Sequence, residues 1–253
     1  MGTSALRPRS ASEIVDAAFQ ILRANYGQFV MCSALGYLPW LVLQLVFISD
    51  PAQFNESAGL VSLVSFIGGW MAFALMSVVI ISCASNAYLG EPLDVAQAVR
   101  RAAPKLPRVL IAGILWALML ILGFICFLVG SLYVGARFFA INEVIILENA
   151  GIGRAFSRSS ELSNGRKRHI LNTLGLVTII YLVLQVGLSI AAVLLANPVL
   201  QTVARAFAVI LTYPIIAVTS VVLYYDTRIQ SEGLDIQMMA DDLAMGAPQR
   251  TAT

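Results

Sequence analysis

Three charged residues, Arg137, Glu143 and Arg205, lie inside stretches of sequence that are otherwise apolar. A charge at the centre of a membrane helix costs about 2.5–3.5 kcal/mol on insertion scales, so each one asks for a partner or a purpose. With a fourth span starting near residue 132 and a sixth near 198, the helical rise puts Arg137 about 8 Å and Arg205 about 10 Å below the outer boundary. Glu143 falls about 17 Å down, near the midplane. It stands six residues from Arg137 and is no i,i+4 partner for it. Two guanidinium forks at one depth suit a lipid phosphate. Arg137 and Arg205 are therefore a candidate anion site, with Tyr133 and Asn142 orienting the ligand. The alternative is structural: both arginines snorkel to the headgroups, while Glu143, the intramembrane acid, hydrogen-bonds within the bundle.

A second cluster closes the last apolar stretch. Tyr224-Tyr225 sits at headgroup depth and is followed by Asp226-Thr227-Arg228, whose charges reach the preceding basic segments. Asp226 facing Arg158 or Arg166 would staple the tail to the helix before the fifth span, with Arg228 beside it. Other reactive residues form no constellation. His169 is the only histidine and belongs to the solvated run Arg166-Lys167-Arg168-His169; Asp241-Asp242 lies in a polar tail; Gly151-Ile152-Gly153 lacks the lysine and hydroxyl residue of a phosphate loop. Cys32, Cys83 and Cys126 fall in apolar runs without metal-ligand spacing. The expectation is a protein that is not an enzyme, with no catalytic residues, no cofactor and no metal.

The elements that must hold these residues follow from composition. Of 253 residues 59% are hydrophobic and only 12% charged, and the mean hydropathy is +0.83; a soluble domain carries roughly 25% charged residues. Apolar runs of membrane-spanning length cover roughly 28–48, 59–85, 108–131, 132–148, 170–196 and 198–225. Segment 1–27 precedes them and a polar tail, 226–253, follows, with a short helix expected around Met238–Met245. Tight breaks at Gly130-Ser131 and Asn197-Pro198 make three helical hairpins. Tyr213-Pro214 is the one good candidate for a break within a span. Glycines such as Gly68, Gly69 and Gly123 suit close helix packing.

Lysine and arginine set the orientation. Fourteen of the sixteen bases fall in the N-terminal segment, the second-to-third and fourth-to-fifth connections and the tail, whereas Ser49–Ser57 holds Asp50 and Glu56 and no base. Both termini are expected in the cytoplasm. No secretory signal is read in the N-terminal segment. A short amphipathic stretch precedes each hairpin: Ser12–Asn25, Leu93–Ala103 and Ile152–Ser163. Ser10 to Glu13 fits a capping box, and Pro92 suits a first helical turn. With basic upper faces, these stretches either lie in the headgroup layer or pack on the spans as elbows. The fold expected is all-α and integral to the membrane: six transmembrane helices in three hairpins, each preceded by an amphipathic helix on the cytoplasmic side.

Three segments carry a resemblance. The chain opens Leu6-Arg7-Pro8-Arg9 with Glu13-Ile14 and Asp16 following; Tyr133-Val134-Gly135-Ala136-Arg137-Phe138 runs through Leu147-Glu148 to Ala155-Phe156-Ser157-Arg158; and Leu223-Tyr224-Tyr225-Asp226-Thr227-Arg228 leads to Glu232-Gly233-Leu234-Asp235. Over nearly its whole length the chain resembles the membrane domain of bacterial glycerophosphoryl diester phosphodiesterases, which also occurs alone. Glu143 stands where that family would carry a proline. The resemblance implies a six-helix domain of the bacterial inner membrane and little about activity, since the family's reaction belongs to a separate soluble barrel that 253 residues leave no room for. The function expected is a scaffold or lipid-associated membrane domain, or alternatively a transporter or lipid-handling protein whose path is lined by the intramembrane Arg and Glu. Its expected partners are membrane lipids, anionic phospholipid among them, and a protein partner or second copy, but no nucleic acid.

Overall fold

Helix α1, Ala11–Ser49, starts with the expected capping box: the Ser10 N–H donates to Glu13 Oε2 at 2.7 Å and the Glu13 N–H to Ser10 Oγ at 3.3 Å. It belongs to a computed structural model that describes residues 9–49, 58–125 and 127–232. Ile14, Ala18 and Leu22 are buried while Asp16, Gln20 and Arg23 are exposed, the two faces anticipated for this stretch. The stretch is not a separate helix. It joins the first span through a kink at Asn25 (φ −135°, ψ 25°).

The remaining elements are α2 (Ala58–Leu89), α3 (Val95–Ala102), a 3-10 turn at Ala103–Lys105, α4 (Leu106–Ile125), α5 (Phe127–Arg137), α6 (Ile141–Leu147), α7 (Ile152–Leu162), α8 (Lys167–Val193) and α9 (Pro198–Glu232). No strand occurs among the described residues. Six stretches are long and apolar enough to cross a membrane, the fourth made of α5 and α6 together. The chain is thus an all-α, multi-pass membrane protein with hairpins α1–α2, α4–α5/α6 and α8–α9. Helix α9 is the central one: 72% of its most apolar window is buried, against 11% for the windows that include α4 and α8. Those two turn residues such as Ile114, Ile121, Val183 and Ile190 outward, as hydrocarbon surroundings allow.

Five boundaries differ from expectation, each for a local reason. Gly130-Ser131 do not break the α4–α5 hairpin but lie inside α5, with Gly130 at the crossing of the two helices: a Cβ on Gly123 would stand 2.9 Å from the Gly130 carbonyl carbon. The fourth span is interrupted at 138–140, where Ser159 of α7 satisfies the freed backbone: its hydroxyl accepts from the Ala140 N–H at 3.1 Å and donates to the Arg137 carbonyl at 3.3 Å. Helix α9 runs unbroken through Pro214, tethered in the turn before it by Tyr26 of α1 donating to the Leu211 carbonyl at 2.9 Å and by Ser77 of α2 bonded to Tyr213. Pro92 precedes the helix it was expected to open, because Asp94 is the cap, its carboxylate accepting from the Gln97 N–H at 3.1 Å. Finally, α9 continues past 225 to Glu232, with Asp226 and Thr227 buried.

The amphipathic stretches behave as elbows. Val95, Ala98 and Ala102 of α3 and Ala155 and Leu162 of α7 belong to the same buried core as Ile14, Ala18 and Leu22. Close packing also explains Gly68, where a Cβ would sit 2.1 Å from the buried ring of Trp40. Cys32 and Cys83 are free thiols, buried 3.4 Å apart between α1 and α2. Asp50, Glu56, Arg7, Cys126, Gly233 to Asp235, the Met238–Met245 stretch with Asp241-Asp242, and Arg250 lie outside the described residues.

Candidate functional site

Helices α8 and α9 are antiparallel, and their polar contacts fix the register. Arg166 donates to the Gln230 carbonyl at 2.7 Å, His169 Nε2 stands 3.5 Å from Asp226 Oδ2, and Thr212 donates to Gln185 at 3.1 Å. Carried along the hairpin, this register puts the exposed Arg205 opposite a point on α8 roughly 35 Å from Lys167.

Arg137 belongs to the Lys167 end. Its Nε donates to Ser160 of α7 at 2.9 Å and its Nη1 to the Tyr133 hydroxyl at 3.4 Å, and the guanidinium carbon lies 5.4 Å from the Phe138 ring centroid. Lys167 Nζ stands 5.0 Å from the Tyr133 ring centroid. Phe138 in the interrupted turn meets Phe156 of α7 edge-on at 5.2 Å, which holds α7 against the end of α5. Together these residues line a polar cavity of about 470 Å³ that also takes in Ser157, Asn164 and Glu161.

The four residues expected to form one anion site are therefore divided. Arg137 and Tyr133 stay together, Arg205 is at the far end of the molecule, and Asn142 lines a different cavity, between α2 and α4. The common depth assumed for the two arginines counted Arg137 from a span starting near 132, whereas α5 already runs from Phe127, which carries Arg137 deeper to where α7 and the start of α8 meet it. Lys167, Ser160 and Asn164 supply what Arg205 and Asn142 were expected to supply. Arg137 still has donors to spare, since a guanidinium has five N–H groups and two of its nitrogens are engaged. Lys167 presents an ammonium on the same wall, so the cavity suits a phosphate with oxygens free to accept.

Glu143 is 2% exposed and accepts a hydrogen bond from Ser220 across the α6–α9 contact. Its second oxygen has no partner among the described residues.

The staple at the basic end forms with exchanged partners. Arg158 pairs with Glu148 at 3.4 Å, with Glu232, and with exposed Glu161 at 3.7 Å. Tyr224 donates to Glu148 at 2.8 Å, and Arg228 reaches both Glu232 (2.9 Å) and the Tyr224 hydroxyl (3.4 Å). Asp226 faces neither Arg158 nor Arg166. It lies beside His169, accepts from Gln230 at 2.6 Å, and meets Arg9. Residues 226 and 232 are about 120° apart around a helix, so the face turned to α7 is that of Glu232. The sequence signal for Glu232 was its i,i+4 spacing from Arg228; Glu148 and His169 carried none that pointed to these partners. Lys105 donates to the Ile146 carbonyl and Arg108 to Asn149 at 3.1 Å, which ties the start of α4 to the end of α6.

In comparisons with known proteins, no family model, no curated protein and no solved structure matches the chain.

Proposed function

We propose that this chain is a non-enzymatic protein of the bacterial inner membrane, with both termini in the cytoplasm, that holds an anionic phospholipid at its basic end with the phosphate between Arg137 and Lys167. The supporting observation is the convergence of two cations and the hydroxyls of Tyr133 and Ser160 on one cavity beside an apolar helix face. Anionic lipid attracts each nearby base by about 1 kcal/mol without any built site, and charge-assisted hydrogen bonds add about 1.5–3 kcal/mol each. The resemblance to the membrane domain of glycerophosphoryl diester phosphodiesterases agrees with a lipid-associated role and adds no hydrolytic one. Native mass spectrometry of the detergent-purified chain tests the reading: a retained phospholipid adduct in the wild type, lost in Arg137→Gln with Lys167→Gln, is expected. Equal retention in both would refute it.

A second reading, a lipid-handling transporter, draws on the interrupted fourth span and the buried Glu143 that follows the interruption. It requires water to reach Glu143. Hydrogen exchange at the Ile141–Leu147 amides as fast as in an exposed loop would favour it, and strong protection would exclude it.

A further inference from the structure

A phosphate between Arg137 and Lys167 fills only part of a cavity of about 470 Å³, and α7 sets what the rest accepts. This helix buries Ala155, Ser159 and Leu162. On its opposite side Ser157, Ser160, Glu161 and Asn164, spaced i, i+3, i+4 and i+7, form one polar stripe, and all four line the cavity. The stripe carries an acid in a stretch otherwise rich in bases. Ser157 donates to Glu161 Oε1 at 3.1 Å, which holds the carboxylate on the stripe, and Arg158 Nη1 stands 3.7 Å from Oε2.

Charge then discriminates between headgroups. Arg137 and Lys167 bring two positive charges to the cavity and Glu161 one negative, a balance matched by the single negative charge of a phosphodiester. A phosphomonoester, as in phosphatidic acid, carries nearly two charges above its second pKa of about 6. Its extra charge would face the Glu161 carboxylate, a repulsion of the kind that builds specificity. An ammonium head, as in phosphatidylethanolamine, cancels the phosphate's charge, and at Glu161 it would stand beside the Arg158 guanidinium. Hydroxyl groups meet neither cost. They donate to an ionised carboxylate, which only accepts, and the Asn164 amide both donates and accepts.

We propose that the Arg137 cavity selects a phosphodiester lipid whose head ends in hydroxyls, of the phosphatidylglycerol type, and that Glu161 is the residue that determines this specificity. The phosphate lies between Arg137 and Lys167, and the glycerol hydroxyls donate to Glu161 and meet the Asn164 amide. The inference rests on the phospholipid reading above and adds a discrimination that the two cations alone would reverse, since Coulomb attraction favours the doubly charged head.

The test is native mass spectrometry of the full chain at pH 8 with equimolar phosphatidylglycerol, phosphatidic acid and phosphatidylethanolamine, their acyl chains chosen to separate the masses. Wild type should retain phosphatidylglycerol over each of the others by about three- to tenfold, the worth of one hydrogen bond. Glu161→Gln, which leaves the fold intact because the carboxylate is 62% exposed, should gain phosphatidic acid until the two phosphate lipids bind equally or the order reverses. Retention of every lipid regardless of Arg137→Gln with Lys167→Gln would overturn the phosphate site and the selectivity together. Retention that depends on that pair, with the lipid ratio unchanged in Glu161→Gln or with phosphatidylethanolamine held as tightly as phosphatidylglycerol, would overturn the selectivity alone. Displacement of the lipid by soluble glycerophosphoglycerol at equal concentration would overturn its assignment to a lipid.

Discussion

Replacing Arg158 by alanine should destabilise the basic end more than any other single charge deletion in the staple. Arg158, Glu148 and Glu232 are each only about one-fifth exposed (20%, 18% and 21%), while Glu161 is 62% exposed. Removing the guanidinium leaves two largely buried carboxylates facing one vacancy, with Glu148 retaining Tyr224 and Glu232 retaining Arg228. Breaking a fully buried pair costs about 3–5 kcal/mol and an exposed one about 0–1, so this intermediate case is worth about 2 kcal/mol. For a chain of this size that is a fall of about 4–8 °C in thermal midpoint. Glu161→Gln is the internal control, expected to cost under about 0.5 kcal/mol. The assay is thermal unfolding followed by circular dichroism in one detergent, with an Arg158→Ala, Glu232→Ala double-mutant cycle expected to give a coupling of about 1 kcal/mol. An Arg158→Ala midpoint equal to wild type, or a Glu161→Gln cost as large as that of Arg158→Ala, would refute the reasoning.

Two further outcomes follow from packing and hydrogen bonding. Gly68→Ala places a methyl 2.1 Å from the buried Trp40 ring, so it should cost about 1–3 kcal/mol by overpacking and be largely relieved by adding Trp40→Ala; thermal unfolding of both variants checks this. Ser159→Ala strips the hydroxyl from the Ala140 N–H and the Arg137 carbonyl, a loss of about 1–3 kcal/mol for backbone groups left unsatisfied, and should raise hydrogen exchange at Ala140 selectively.

Membrane spans are legible in a sequence because hydrocarbon solvent imposes a condition on composition alone, and α8 and α9 began within a few residues of where their apolar runs predicted. The amphipathic faces were legible for the same local reason: Ile14, Ala18 and Leu22 share a helical face whatever covers it. What covers it was not legible, since headgroups and a protein core make the same demand on those side chains. The placement of Arg137 failed because its depth was counted from residue 132, five residues past the start of α5, and because the interruption that follows at 138–140, which lets α7 close on it, was not read. The groups that stabilise an interruption there, the Ser159 hydroxyl and the Phe156 ring, come from another helix. The partner of Asp226 depended on the rotation of α9 against α8, which long-range packing sets. Choosing among Arg158, Arg166 and His169 from spacing alone had no physical basis, whereas Glu232, four residues from Arg228, was within reach of the i,i+4 rule.

Where an anionic headgroup binds is read from phosphatidylglycerol binding to the delipidated chain in zwitterionic nanodiscs, comparing three proteins. Wild type and Arg205→Gln should bind alike, because Arg205 is roughly 35 Å from the Lys167 end. Arg137→Gln with Lys167→Gln should bind at least about tenfold more weakly, a loss of about 1.4 kcal/mol. Binding that survives the double substitution, or falls as far in Arg205→Gln, would contradict the account.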